Sequence, residues 1–204
     1  MISWCKIRCK MEWKTIKSQG QLTVSGTLYS VSHLQDATYH FTIPATDRFP
    51  ALTVGVLVQY SSHCISWGPR DGEAIDFSVE GEDARIIDDK GIHRCFDPDR
   101  YQKSASLPAI FAAFVDRTCF FTGYENWLTV ELEAQDGQGR IEYEIFFNLR
   151  RQSSAFLRLN VESAYVRTDA NGNPERQFSR REKVRARTLL AKTLRGELIK
   201  PPHR

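Results

Sequence analysis

Between residues 126 and 167 three runs alternate with the period of a β-strand, and any fold for this chain must give all three a common buried face. In NWLTVELEAQ, Leu128, Val130 and Leu132 fall on one side and Thr129, Glu131 and Glu133 on the other. In IEYEIFFNLRR, Tyr143, Ile145, Phe147 and Leu149 oppose Glu142, Glu144, Phe146, Asn148 and Arg150. In FLRLNVESAYVR, Leu157, Leu159, Val161 and, by parity, Ser163 and Tyr165 point inward. Successive side chains of a strand point to opposite faces, so each run has one apolar and one polar side. QDGQGR, with Asp136-Gly137 at its head, closes the first two runs as a hairpin. The three read as an antiparallel meander.

The polar side of that meander gathers Glu131, Glu133, Glu142, Glu144, Asn148, Arg150, Arg158, Asn160 and Glu162. Such a face is what a half-solvated sheet looks like, with Glu–Arg pairs across strands. Neighbouring carboxylates and arginines also shift one another's pKa values, which is the raw material of general acid–base chemistry. A third use is an acidic docking face for a protein partner.

Upstream, QLTVSGTLYSVSHL, ATYHFTIPA and ALTVGVLVQYSSHCISW are rich in Thr, Val, Tyr and Phe and predict an antiparallel N-terminal layer. The first 20 residues predict an irregular arm or short strand. Residues 68–91 are acidic and turn-rich and predict a surface loop holding one short strand. CFDPDRYQKSASLPAIFAAFVDR carries the clearest helix start: Asp97 as cap and Pro98 in the first turn. Ser106 and Pro108 repeat the pattern, so two short helices are expected, with Ile110, Phe111, Phe114 and Val115 on one face. The composition of SRREKVRARTLLAKTLRGE favours a C-terminal helix, stopped near Gly196. The fold class is therefore α+β: antiparallel sheet, a short helix pair packed on one face, and a basic C-terminal element. By segment this gives a β-rich layer over 1–67, an acidic loop over 68–91, and helices, meander and basic element over 92–204, folded as one unit.

Charge is unevenly placed. Residues 1–174 hold 18 Lys/Arg against 22 Asp/Glu, whereas 175–204 hold 10 against 3. A basic tail on an acidic body points to a polyanion, RNA or DNA, as partner; a solvated basic helix is the plain reading. No apolar run approaches the ~20 residues of a membrane span, and no signal peptide is recognisable. Cys5, Cys9, Cys64, Cys95 and Cys119 are odd in number and irregular in spacing, which fits a reduced, cytoplasmic chain.

Two constellations remain. His63-Cys64 and His93-x-Cys95 could hold zinc, although His-x-Cys is not the usual structural spacing; Cys5-x₃-Cys9 has that spacing. The second is cationic. Arg94, Arg100, Tyr101 and Lys103 surround the helix start beside His93, and Arg185, Arg187, Lys192 and Arg195 lie on the basic element. A metal-independent ribonuclease needs a base, an acid and cations. His63 and His93 would trade the proton, Arg100 and Lys103 would hold the charge, and Tyr101 would stack on a base. Arg94 and the four cations of the basic element would bind phosphates. Such a site uses no cofactor. No P-loop, dinucleotide fingerprint, nucleophile elbow or HExxH is present.

RCFDPDRYQKSASLP, YEIFFNLRR and LRLNVESAYVR, in that order, resemble segments of uncharacterised proteins of bacterial mobile elements, phages and plasmids. That resemblance implies a mobile-element or phage-defence context. In element order alone, helices followed by an antiparallel meander and a basic terminus resemble the barnase/EndoU/colicin/RelE-type ribonucleases. This implies a toxin-like nuclease but no residue assignment. The alternatives from the residues themselves are a non-enzymatic protein-interaction module and a small zinc-stabilised domain.

Overall fold

The computed structural model describes residues 11–69, 73–122, 127–135, 139–166 and 183–199. Cys5, Cys9, the Asp136-Gly137 turn and the segment 167–182 lie outside the described residues. The fold is α+β, as the sequence predicts. No helix among the described residues is long and apolar enough to cross a membrane.

The first element among the described residues is a helix, α1 (Trp13–Gln19), where an arm or short strand is expected. Trp13 is buried and its indole N–H donates to the carbonyl of Tyr60 at 3.0 Å, so tertiary packing settles a segment with little periodicity. A tight hairpin follows, β1 (Gln21–Val24) and β2 (Thr27–Ser30). Its two turn residues, Ser25 and Gly26, both have positive φ, the conformation a two-residue hairpin turn requires. Next come β3 (Ala37–Ile43), ended by Pro44, and β4 (Leu52–Tyr60). A 3₁₀ turn over Ser62–Cys64 leads into β5 (Ser66–Trp67). The acidic stretch holds a one-turn helix, α2 (Phe77–Glu80), and β6 (Arg85–Ile87). With β7 (His93–Phe96) a small sheet is complete, in the order β5-β7-β6.

The helix pair is α3 (Pro98–Ser104) and α4 (Leu107–Ala112). Asp97 caps α3, accepting from the amides of Asp99 and Arg100. Ser106 does not cap α4: its hydroxyl donates back to the Lys103 carbonyl at 2.8 Å. After β8 (Thr118–Phe121) the meander β9 (Trp127–Gln135), β10 (Gly139–Arg151) and β11 (Phe156–Val166) forms as expected. The chain then returns as β12 (Lys183–Arg185) and α5 (Ala186–Arg195), closed by Gly196 in the left-handed region.

One seven-stranded sheet, in the order β12-β8-β9-β10-β11-β4-β3, contains both the N-terminal strands and the meander. The seam is a parallel pairing of β11 with β4, from Phe156 opposite Gly55 to Val161 opposite Tyr60. On one face Val54, Val56, Val58 and Tyr60 lie beside Leu157, Leu159 and Val161, all buried. The α4 and α5 helices cover this face. Phe114, just past α4, meets Phe147 edge-on at 5.3 Å, and Leu189, Leu190 and Leu194 of α5 are buried.

The other face differs from expectation in two respects. Where Phe146 pairs with Ser163 but Phe147 with Val161, Glu162 is the extra residue of a β-bulge. The bulge inverts parity, so Ala164 is buried in the core where Ser163 and Tyr165 are expected. Glu144, expected to be exposed, is fully buried. The reason is that solvent does not reach that end of the face. Tyr165, its cross-strand partner, stacks on Phe146 at 5.7 Å, and the Arg100 guanidinium lies 5.2 Å from the Tyr165 ring. Further along, Asn148 donates to the Glu162 carboxylate at 2.8 Å and accepts from Asn160 at 3.3 Å.

Phe147→Ala is expected to lower the unfolding free energy by about 3–5 kcal/mol and Glu144→Ala by about 1–3 kcal/mol. Urea unfolding measures both; a Glu144→Ala effect within about 0.5 kcal/mol would mean that water reaches that carboxylate.

Candidate functional site

The five residues expected to form a catalytic set divide into four separate environments. His63 and Arg100 are brought together where the 3₁₀ turn, β5 and α3 meet. His63 Nε2 lies 3.2 Å from Asp88 Oδ2, and Asp88 is held by the amides of Lys90 and Ile92, each at 2.9 Å. Burial, with the Arg94 charge, pushes the His63 imidazole below its usual value, against the pull of Asp88. Burial would raise the Asp88 carboxyl, but the Ile92 and Lys90 amides and the His63 ring hold it below the usual carboxylate range. Asp88 was not among the residues singled out in the sequence. Only its place in a DDKG turn marks it as a residue that binds its own loop.

Arg100 is committed to structure. It donates to the carbonyls of Ser66 at 2.9 Å and His63 at 3.3 Å, pairs with Asp97 at 3.3 Å, and lies over Tyr165. Arg94 converges on the same residue, donating to Ser66 Oγ at 2.9 Å and to its carbonyl at 3.0 Å. Burial and the neighbouring Arg100 lower its pKa to about 10. At 8% exposure Arg94 is sealed from the surface, which removes it from the expected phosphate contacts. The two guanidiniums form a clamp on Ser66: Arg94 holds β7 to β5 within the small sheet, and Arg100 ties α3 to it.

The other three lie elsewhere. His93 alternates with Arg94 on β7 and so points to the opposite face; it meets Arg85 at 3.2 Å and the edge of Phe77. Tyr101 packs among Tyr29, Phe96 and His33, and its hydroxyl donates to the Ser30 carbonyl at 2.9 Å. Lys103 is half-buried on the last turn of α3. The two-histidine arrangement is therefore not formed. Cys64 is fully buried, with its pKa raised to about 12 by burial, and Cys95 is raised to about 11 by burial and Glu80. Neither is the low-pKa thiolate that nucleophilic chemistry needs. Among the described residues no three His, Cys, Asp or Glu side chains are grouped to hold a metal ion.

The basic element gives a different result. Arg187, Thr188, Ala191, Lys192 and Arg195 recur at helical spacing and form one wall of a groove of about 600 Å³. The other wall is the β3–β4 connection, ATDRFP, with Arg48 and Phe49. Thr46 and Phe49 exchange backbone hydrogen bonds at 2.8 and 3.2 Å, and Pro44 and Pro50 flank the turn. Four cations line the groove against two carboxylates, Asp47 and Glu197. Arg195 pairs with Glu197 and its Cζ lies 3.8 Å from the Phe49 ring centroid. Arg187 pairs with Asp116 at 3.2 Å. Arg48 and Lys192 have no ion-pair partner among the described residues. Arg185, on β12, is exposed but does not line the groove. Arg48 and Phe49 were missed in the sequence; the available signal was an aromatic residue at a hairpin tip between two prolines.

A family model, that of the YjaZ family, matches residues 21–194, from β1 to the penultimate residue of α5. No curated protein and no solved structure matches the chain.

The His63–Asp88 pair predicts a pH dependence of stability with a defined sign. A histidine whose folded pKa lies below about 6.5 binds more protons unfolded. Its contribution is complete above that pH and is lost as pH falls toward the folded value. Asp88, also lowered, loses its contribution as pH falls below about 4. Denaturant midpoints should therefore decline from pH 7 to 5 in the wild type, and this upper limb should shrink in His63→Asn to the part that His33, also lowered by burial, contributes. An identical limb in the variant would assign it to another group.

Proposed function

The chain belongs to the YjaZ family, and we propose that it binds nucleic acid in the cationic groove between α5 and the β3–β4 turn. One observation carries this reading: Arg48 from the turn meets Arg187, Lys192 and Arg195 on one helix face, on either side of an open cleft. Arg48 and helix cations about 140 residues away in sequence are drawn into a single field that a polyphosphate backbone can occupy. The ion pairs already present do not close the groove. Exposed pairs are worth about 0–1 kcal/mol each, and a phosphate can take the place of Glu197 or Asp116.

Binding is favoured over cleavage. Among the described residues the groove holds no histidine, and His63, whose pKa is lowered, sits beside arginines that are occupied by backbone carbonyls. The acidic sheet face is less suited to a protein partner than its composition suggests, because Glu144 is buried and Glu162 is engaged by Asn148.

Anisotropy of a labelled single-stranded oligonucleotide, titrated across salt, tests the proposal. With three phosphates neutralised, log Kobs should fall with log salt at a slope of about −2. Lys192→Glu and Arg48→Glu should each weaken binding and reduce the slope, while Arg94→Lys should leave the slope unchanged. A flat salt response, or full affinity in both groove variants, would refute it.

A further inference from the structure

We propose that Phe49 and Arg195 form a stacking subsite for an unpaired nucleobase, so that the groove takes single strands and rejects duplex. This deepens the groove reading and rests on it. Phe49 leaves 41% of its surface in water although it is a large apolar side chain, and it does so at the rim of a cationic cleft. The Arg195 guanidinium is stacked on it at 3.8 Å, giving two π surfaces at the point where the groove's charge is concentrated. Every base has a π-face, and stacking on aromatic rings or guanidinium planes is how proteins hold single strands. In a duplex those faces are already stacked and cannot reach the ring.

The platform is preorganised. The turn that carries Phe49 is closed by two backbone hydrogen bonds and flanked by prolines, and Arg195 is fixed at its far side by Glu197. Little conformational freedom remains to be lost on binding. Arg48 at the tip of the turn and Lys192 one helical turn before Arg195 flank the platform, where the phosphates on either side of a stacked base would lie. A groove of about 600 Å³ is within the usual range for a small-molecule site and suits a short stretch of strand.

The full chain would be titrated with four labelled probes of about 12 residues: single-stranded RNA, DNA of the same sequence, the DNA duplex, and an abasic strand with the same phosphates and no bases. Polyglutamate serves as an acidic competitor. The wild type should bind RNA or DNA single strands on the order of 10-fold more tightly than the abasic strand, and more tightly than duplex. Phe49→Ala should abolish that preference while keeping the salt slope. Lys192→Glu should weaken binding to all probes alike. Phe49 is a partly exposed turn residue, and Phe49→Leu provides a second variant that keeps apolar bulk without a π-face; it should behave like Phe49→Ala. Equal binding of abasic and base-bearing strands, or no effect of either Phe49 change, overturns the subsite and leaves the groove standing. Failure to bind any strand, or displacement by polyglutamate as tight as by oligonucleotide, overturns the groove reading as well.

Discussion

The parallel pairing of β11 with β4 is the constraint on which the rest of the structure depends. It joins residues 55–60 to residues 156–161, about a hundred positions apart, and makes one sheet of two sets of strands. Gly55 makes it possible. The Phe156 ring lies across the space a side chain would fill, and a Cβ there would sit 2.4 Å from it. An aromatic residue over a glycine on a neighbouring strand restores packing that the glycine gives up. Contacts of such separation cost loop-closure entropy before they contribute anything, so this seam is expected to form late. Once formed, it brings the β3–β4 turn to the end of the sheet where α5 finishes, and the groove exists because of that meeting.

The same architecture divides the arginines into two kinds. Arg94 and Arg100 are turned inward, held by Ser66, His63 and Asp97; Arg94 joins β7 to β5 within the small sheet, and Arg100 fastens α3 to it. Arg48 and the α5 cations are outside, with their charge available. Buried charge is costly unless it is hydrogen-bonded, and both guanidiniums of the clamp donate to the Ser66 carbonyl. A count of positive residues cannot separate the two kinds. Their surroundings do.

Local signals in the sequence are legible, and long-range ones are not. Asp97-Pro98 names its helix because the cap and the proline act within one turn. The alternation of residues 143–149 names its strand and its core face. The parity of 163–165 is misread because a bulge at Glu162 is set by pairing with β10, which leaves no local mark. Glu144 is misread because its cover, Tyr165 and Arg100, comes from other elements. The basic element is visible as charge. Its partner wall is not, because Arg48 and Phe49 gain meaning only when the β11–β4 seam sets them opposite Arg195.

Photocrosslinking of a single-stranded oligonucleotide carrying 4-thiouridine, with adducts mapped by mass spectrometry on the full chain, tests the central claim most directly. The account predicts adducts on Phe49 and within residues 187–195, with both reduced together in Lys192→Glu. Adducts confined to the His63–Arg100 region or to the Asn148–Glu162 face, with none at the groove, would contradict it.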